Sequence, residues 1–239
     1  KEINLNAGCP SGTVVSKNKG AGFLKDTEAM DRFFDETFNW LENKNSEGHN
    51  LSISVKTRIG MYEPDEFENI LEVYNRYPIS QLIVHPRTRE QLYKGTPNME
   101  AFKYALENSK NPVCYNGDIN TVENYHRIIE KINDDSEMKI GNIMIGRGLI
   151  GNPNLVNEIK GGKKLTKKML EAYHDRLYND FEKIMKADKH LLFKMKEMWT
   201  YMSLNFDDSH KCAKLIRKAQ NLYKYNQAVY EIFEKYELK

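Results

Sequence analysis

The stretch 51–60, LSISVKTRIG, alternates Leu51, Ile53 and Val55 with small polar residues, runs into two cations flanking Thr57, and stops at a glycine. The same arrangement returns at 81–87 (QLIVHPR), at 111–118 (NPVCYNGD) and at 141–147 (GNIMIGR), and a first copy opens the chain at 2–9 (EINLNAGC). Each is a short β-forming run that ends on polar residue types, the pattern of a strand followed by a functional loop. The starts at 51, 81, 111 and 141 are thirty residues apart, the length of one βα unit.

Between these runs the apolar period changes. Met30, Phe33, Phe34, Thr37, Phe38 and Leu41 form one helical stripe, and Phe67, Ile70, Leu71 and Tyr74 another. Strands alternating with amphipathic helices specify a parallel sheet covered by helices, either doubly wound or closed as a (β/α)8 TIM barrel. Five units can be counted, where a barrel has eight. The barrel reading therefore expects three further units, about 90 residues, ahead of Lys1. The first connection breaks the rhythm. Strand starts at 2 and 51 leave about 20 extra residues after the first strand, where 2 to 6 are usual. With Gly20 and Gly22 inside it, this loop is expected to be a movable lid.

Composition narrows the class. A chain of 239 residues, 40% hydrophobic and 29% charged, reads as globular and excludes broad disorder. No run of about 18 apolar residues occurs, and KEINLNAGCP at the start holds no apolar signal core. No membrane association is therefore expected, and the expected address is cytoplasmic. Cys9, Cys114 and Cys212 form no CxxC pair, so neither a disulfide framework nor a bound metal is expected. Nothing points to an obligatory protein partner.

The net charge of +2 conceals an asymmetry, because residues 163–239 carry 17 Lys and Arg against 11 Asp and Glu, and the remainder 19 against 23. That basic third follows a GGKK linker at 161–164. It shows helical stripes at Met169, Leu170 and Tyr173, at Leu177, Phe181, Ile184 and Met185, and at Leu192, Met195, Met198 and Trp199. The expected domains are 1–162, a partial barrel, and 163–239, a small all-α unit. The Met and aromatic stripe reads as core packing. Lys194, Lys196, Lys211, Lys214, Arg217 and Lys218 are the candidate phosphate contacts. His174, His190 and His210 have no ligand spacing and are expected on solvated faces.

In a barrel, the residues directly after each strand form the active-site face. Cys9 sits there in a Gly-rich, Lys-bearing loop, the setting of a proton donor or nucleophile. Lys56 and Arg58 alternate with Thr57 and point to one side, where converging cations suit an anionic ligand or an electron-rich ring. His85 and Arg87 follow the next strand. Asn116 and Gly117, then Gly146 and Arg147, end strands in glycine turns before helices, where backbone N–H groups can receive phosphate and Arg147 adds bidentate donors. The residues alone lead to an α/β barrel with anion-binding loops and a basic helical appendage.

Taken in order, NLNAGCP, VKTRIG, VHPRTREQLYKG, YNGDI and MIGRGLIGNP resemble the tRNA-dihydrouridine synthases, FMN-dependent barrel enzymes whose C-terminal helical domain grips tRNA. The resemblance covers Ile3 to about Ile159. It implies that Cys9 is the general acid protonating C5 of uracil while hydride from reduced FMN reaches C6. It further implies that Asn6 hydrogen-bonds the target base, that Lys56 and His85 contact the flavin, and that Arg58 and Arg87 lie near the substrate nucleotide. Asn116, Gly117, Gly146 and Arg147 would hold the FMN phosphate and ribityl chain, and NADPH would refill the flavin. The family's first strands carry an APM-type segment and a glutamine against the isoalloxazine, and this sequence has neither. Two other readings stay open: an FMN-dependent barrel oxidoreductase acting on a small molecule such as a dihydropyrimidine, and a non-catalytic tRNA-binding fragment.

Overall fold

The computed structural model describes residues 1–133 and 140–239. The five runs read from the sequence are strands: β1 (Glu2–Ala7), β2 (Ser52–Arg58), β3 (Leu82–His85), β4 (Val113–Asn116) and β5 (Asn142–Met144). They form one parallel sheet in the order β1-β2-β3-β4-β5. Strand order follows chain order without the reversal of a doubly wound sheet, and the arrangement is consistent with part of a TIM barrel.

Alternation along the strands gives the sheet two unlike faces. Ile53, Val55 and Thr57 of β2, Leu82 and Val84 of β3 and Tyr115 of β4 are buried, on the face covered by α2 (Thr27–Ser46), α3 (Glu66–Tyr74) and α4 (Met99–Asn108). Tyr74 of α3 donates to Thr57 Oγ1 at 3.0 Å, its ring meets Phe34 of α2 edge-on at 5.6 Å, and Phe102 of α4 meets Tyr115 at 4.9 Å. Each fully buried side chain of this size contributes roughly 1.5–3 kcal/mol. Asp26 and Asn98 cap α2 and α4 by accepting from Ala29 and Ala101 N–H, which fixes where those helices begin. Alternation assigns Asn4, Asn6, Ser54, Lys56, Arg58, His85 and Asn116 to the other face.

The long first connection is folded. It contains a short helix, α1 (Gly12–Val15), and a 3₁₀ turn, Gly20–Lys25. Its Ala21 N–H donates to the Cys9 carbonyl at 2.9 Å, and Val15, Ala21 and Met61 bury one another. Gly20, at φ +56°, and Gly22 serve close packing, because a Cβ on either would stand 2.7 Å from the Cys9 carbonyl oxygen or 2.5 Å from that of Val15. The loop expected as a lid is a folded segment that packs behind Cys9.

The chain divides into two compact units, 1–117 with 127–144, and 118–126 with 145–239. The boundary read at 162 lies inside the second. α5 (Val122–Asn133) contributes to both units, and α6 (Arg147–Gly151) and α7 (Leu155–Ile159) belong to the second with α8 (Lys167–Ile184), α9 (Asp188–Met202), α10 (Ser209–Lys218) and α11 (Leu222–Lys235). Asn205 donates to the Gly151 carbonyl at 2.8 Å, and a Cβ at Gly151 would lie 3.1 Å from the Tyr201 carbonyl oxygen. This backbone contact ties α6 to the end of α9.

Met195, Trp199, Met202, Phe206, Ile232 and Phe233 form the core of the second unit together with Leu170, so the Met and aromatic stripe is packing. His174 departs from expectation, being buried rather than solvated at 3% exposure. Trp199 Nε1–H donates to the Tyr225 hydroxyl at 2.9 Å, that hydroxyl donates to His174 Nε2 at 2.7 Å, and Nδ1–H meets Asp175 Oδ1 at 2.9 Å. The Asp175 carboxylate only accepts, so Nδ1 carries the proton and Nε2 of the neutral ring accepts from the hydroxyl. Burial holds His174 below its ordinary pKa, against the opposing pull of Asp175, and raises that of Tyr225.

Candidate functional site

The polar face of the sheet is built by register. Asn6 of β1 pairs with Lys56 of β2, and Arg58 pairs with His85 of β3, so each pair shares a face at the C-terminal ends of the strands. Asn6 Oδ1 accepts from Gly8 N–H at 3.0 Å. This turn commits the acceptor of the amide and leaves Nδ2 as the group it presents. Lys56 is half-buried. Burial first, and the neighbouring Arg58 second, hold its ammonium below the usual lysine pKa. Among the described residues no acceptor meets its Nζ. Cys114 lies near Lys56, but burial pushes its thiol up to about 11, so it is a neutral core residue.

The two arginines are buried clamps. Arg58, at 1% exposure, donates from Nε to the Gly8 carbonyl at 2.9 Å and from a terminal nitrogen to the Thr88 carbonyl at 2.8 Å. It thereby joins the end of β1 to the loop after β3. Arg87 is fully buried and donates to the carbonyls of Lys94, at 3.2 Å, and Gly95 within its own loop. A third donor reaches His85 Nε2 at 3.1 Å. Since a guanidinium only donates, His85 accepts at Nε2 and carries its ring proton on Nδ1.

The resemblance assigns both arginines to the neighbourhood of the substrate, and the structure commits these donors to protein groups that shape the site's wall. Tyr93 completes that wall. Its ring centre lies 5.5 Å from the Arg58 guanidinium carbon and 6.2 Å from the His85 ring, and the residue is 54% exposed. In the sequence it lies within REQLYKG. An aromatic in an aperiodic loop gives no signal of direction.

Cys9 is half-exposed on the loop after β1, with its carbonyl pinned by Ala21 N–H. Arg58 Nε holds the carbonyl of the residue before Cys9, Gly8, at 2.9 Å. The first unit thus brings together a thiol, an outward amide donor, an ammonium lacking an acceptor and a clamped imidazole. That set can bind a planar, electron-rich or anionic ligand and hand it a proton. Asn116 uses its amide NH2 on the Met144 carbonyl at 2.9 Å, locking β4 to β5. Gly117 is required by Tyr115, whose hydroxyl would lie 2.8 Å from a Cβ there.

Gly146 and Arg147 belong to the second unit. Gly146 is the residue before α6, with open space where a Cβ would stand, and Arg147 bridges to Asp118 at 3.4 Å. Of the six cations read as phosphate contacts, Lys194 is paired with Glu197 at 3.0 Å and Lys211 with Asp208 at 2.8 Å. Lys196 donates to the Arg217 carbonyl at 3.0 Å. Lys214, Arg217 and Lys218 are exposed, and no carboxylate pairs with them among the described residues. No described helix is long and apolar enough to cross a membrane.

A family model described as Dihydrouridine synthase (Dus) matches residues 1–235. A probable tRNA-dihydrouridine synthase of Staphylococcus aureus (strain Mu50) is 30% identical over 191 residues, covering 77% of this chain and 53% of the relative. One of Rickettsia bellii is 28% identical over 192 residues, covering 77% and 54%. One of Rickettsia conorii is 30% identical over 162 residues, covering 66% and 44%. The chain spans about half the length of the curated relatives it matches.

Proposed function

The chain belongs to the dihydrouridine synthase family, and from that premise we propose that it serves in reducing specific uridines of tRNA to dihydrouridine, with FMN and NADPH as the redox carriers. The observation that carries this reading is the polar end of the sheet, where Asn6, Lys56 and His85 share one face beside Cys9. In the same reading, the five parallel strands in sequential order are an arc of a TIM barrel, and the active site is its C-terminal face.

The donor set fits a flavin. Lys56 offers a half-buried ammonium that lacks an acceptor among the described residues, as an electron-rich ring requires, and His85 is held in a fixed tautomer by Arg87. Lys56 and His85 would contact the isoalloxazine. Asn116, Gly117, Gly146 and Arg147 are assigned to the ribityl phosphate by the family resemblance. When bound, FMN supplies the hydride that reaches C6 of the uracil, and NADPH restores it.

The chain's own residues do the rest. Asn6 Nδ2 donates to a uracil carbonyl and orients the ring. The Cys9 thiol gives its proton to C5, a general-acid step whose geometry is set by the segment packed behind Cys9. Arg58 and Arg87 act on the substrate side by holding the loop that carries Thr88 and Tyr93. In the second unit, Lys194, Lys196, Lys211, Lys214, Arg217 and Lys218 provide the basic surface for tRNA. The test is NADPH oxidation by the flavin-loaded chain, with and without unmodified tRNA. Dependence on tRNA supports the reading. Equal rates with a free pyrimidine favour the small-molecule oxidoreductase.

A further inference from the structure

We propose that the cleft between α9, α10 and the start of α11 binds one unpaired RNA nucleotide, its base stacked on Phe193 and its phosphate held by Arg217 and Lys189. This rests on the reading that the chain acts on tRNA, and it concerns a nucleotide other than the one reduced.

Two hollows of about 660 and 640 Å³ adjoin here and share Phe193, Lys196 and Arg217, each within the size range of a small-ligand site. Phe193 is anomalous on its helix. Leu192, Met195 and Trp199 of α9 are buried, whereas Phe193 is 56% exposed, with Lys189 Nζ 5.8 Å from its ring centre. Lys196 staples α9 to the end of α10 through the Arg217 carbonyl, which gives the cleft a fixed floor.

The charges beside it are not neutralised within the unit. Lys194, Lys211 and Lys235 are each matched by a carboxylate one turn away. Lys189, Arg217 and Lys218 have no such partner among the described residues, and Asp188 is the one carboxylate lining the first hollow. Unneutralised cations flanking an exposed aromatic ring suit a ligand that carries both anionic charge and a π face. A nucleotide has both, and base stacking tolerates any base. An acidic peptide would satisfy the cations and leave Phe193 without a stacking partner.

The test uses the full chain and two probes, unmodified tRNA and fluorescein-labelled pentauridylate, titrated by anisotropy at several KCl concentrations. Phe193→Ala should weaken both about tenfold while leaving the salt slope unchanged, because stacking releases no counterions. Phe193→Tyr should restore binding. Arg217→Gln should weaken binding and reduce the salt slope by roughly one phosphate contact. Flavin content should be unaffected in all three variants. Unchanged affinity of Phe193→Ala, in a parent that binds tRNA, overturns the cleft and leaves the proposed function standing. A parent that binds no tRNA removes both. Binding of hexaglutamate by the parent, lost in Arg217→Gln and kept in Phe193→Ala, would assign the cleft to an acidic peptide instead and overturn the proposal.

Discussion

The molecule holds two polar clusters that obey opposite rules. In the helical unit, Trp199, Tyr225, His174 and Asp175 hand hydrogen bonds along a closed relay from indole to carboxylate. At the end of the sheet, Arg58 and Arg87 are committed to backbone carbonyls, yet Lys56 Nζ and Asn6 Nδ2 meet no acceptor among the described residues. The first arrangement specifies a fold, because every donor is satisfied from within. The second leaves an exposed amide and a half-buried ammonium open at the strand ends, where solvent or a ligand can meet them.

Substitutions should separate the two rules. The largest effect falls on chemistry: Cys9→Ala should lower tRNA reduction by about 10²- to 10⁴-fold, the usual yield of a positioned general acid, with an unchanged melting curve. If turnover survives intact, the sheet face is not the reacting centre. Next, His174→Ala strands the Tyr225 hydroxyl and opens a cavity, so urea denaturation should show a loss of about 3 kcal/mol, with flavin binding retained. Smaller and opposite in sign, Lys56→Met removes an unpaired half-buried charge and should raise stability by about 0.5–1 kcal/mol, while abolishing flavin affinity. A destabilised Lys56→Met protein would place Lys56 with the closed cluster.

The pH dependences should share a sign and fall in different intervals. His174 has a depressed pKa in the folded state, so the unfolded chain binds the extra proton. The stability it contributes is complete above the unfolded value of 6.5 and falls as pH drops through the folded one. His174→Phe should flatten that acid limb. Lys56 is also depressed, so stability rises with pH as it deprotonates below 10.5. Flavin affinity should fall over the same interval, since the ammonium donates more strongly than the neutral amine and carries the charge that an electron-rich ring favours. Thermal scans and flavin titrations at matched pH would show whether the two trends run in opposite directions.

The sequence made the sheet legible because strand periodicity is local. The spacing of Lys56 and Arg58 around Thr57 required one shared face, and the register supplies it. What it concealed depended on distant contacts. The carbonyls that hold Arg58 lie thirty and fifty residues away, so nothing local announces that two of its donors are engaged with protein groups. Gly20 and Gly22 read as hinges because their neighbours, Cys9 and Val15, come close only in the folded loop. His174 follows buried Leu170 by one helical turn, so its burial was present in the stripe and hidden by its polarity.

The central claim is that the open donors of the sheet face exist for a flavin. The direct measurement is an FMN titration of the purified chain and of Lys56→Met, followed by the visible absorption spectrum and equilibrium dialysis. The account predicts one FMN per chain with a shifted flavin spectrum, lost in Lys56→Met while the fold persists. Absence of FMN binding by the parent, or equal binding by both proteins, would contradict it.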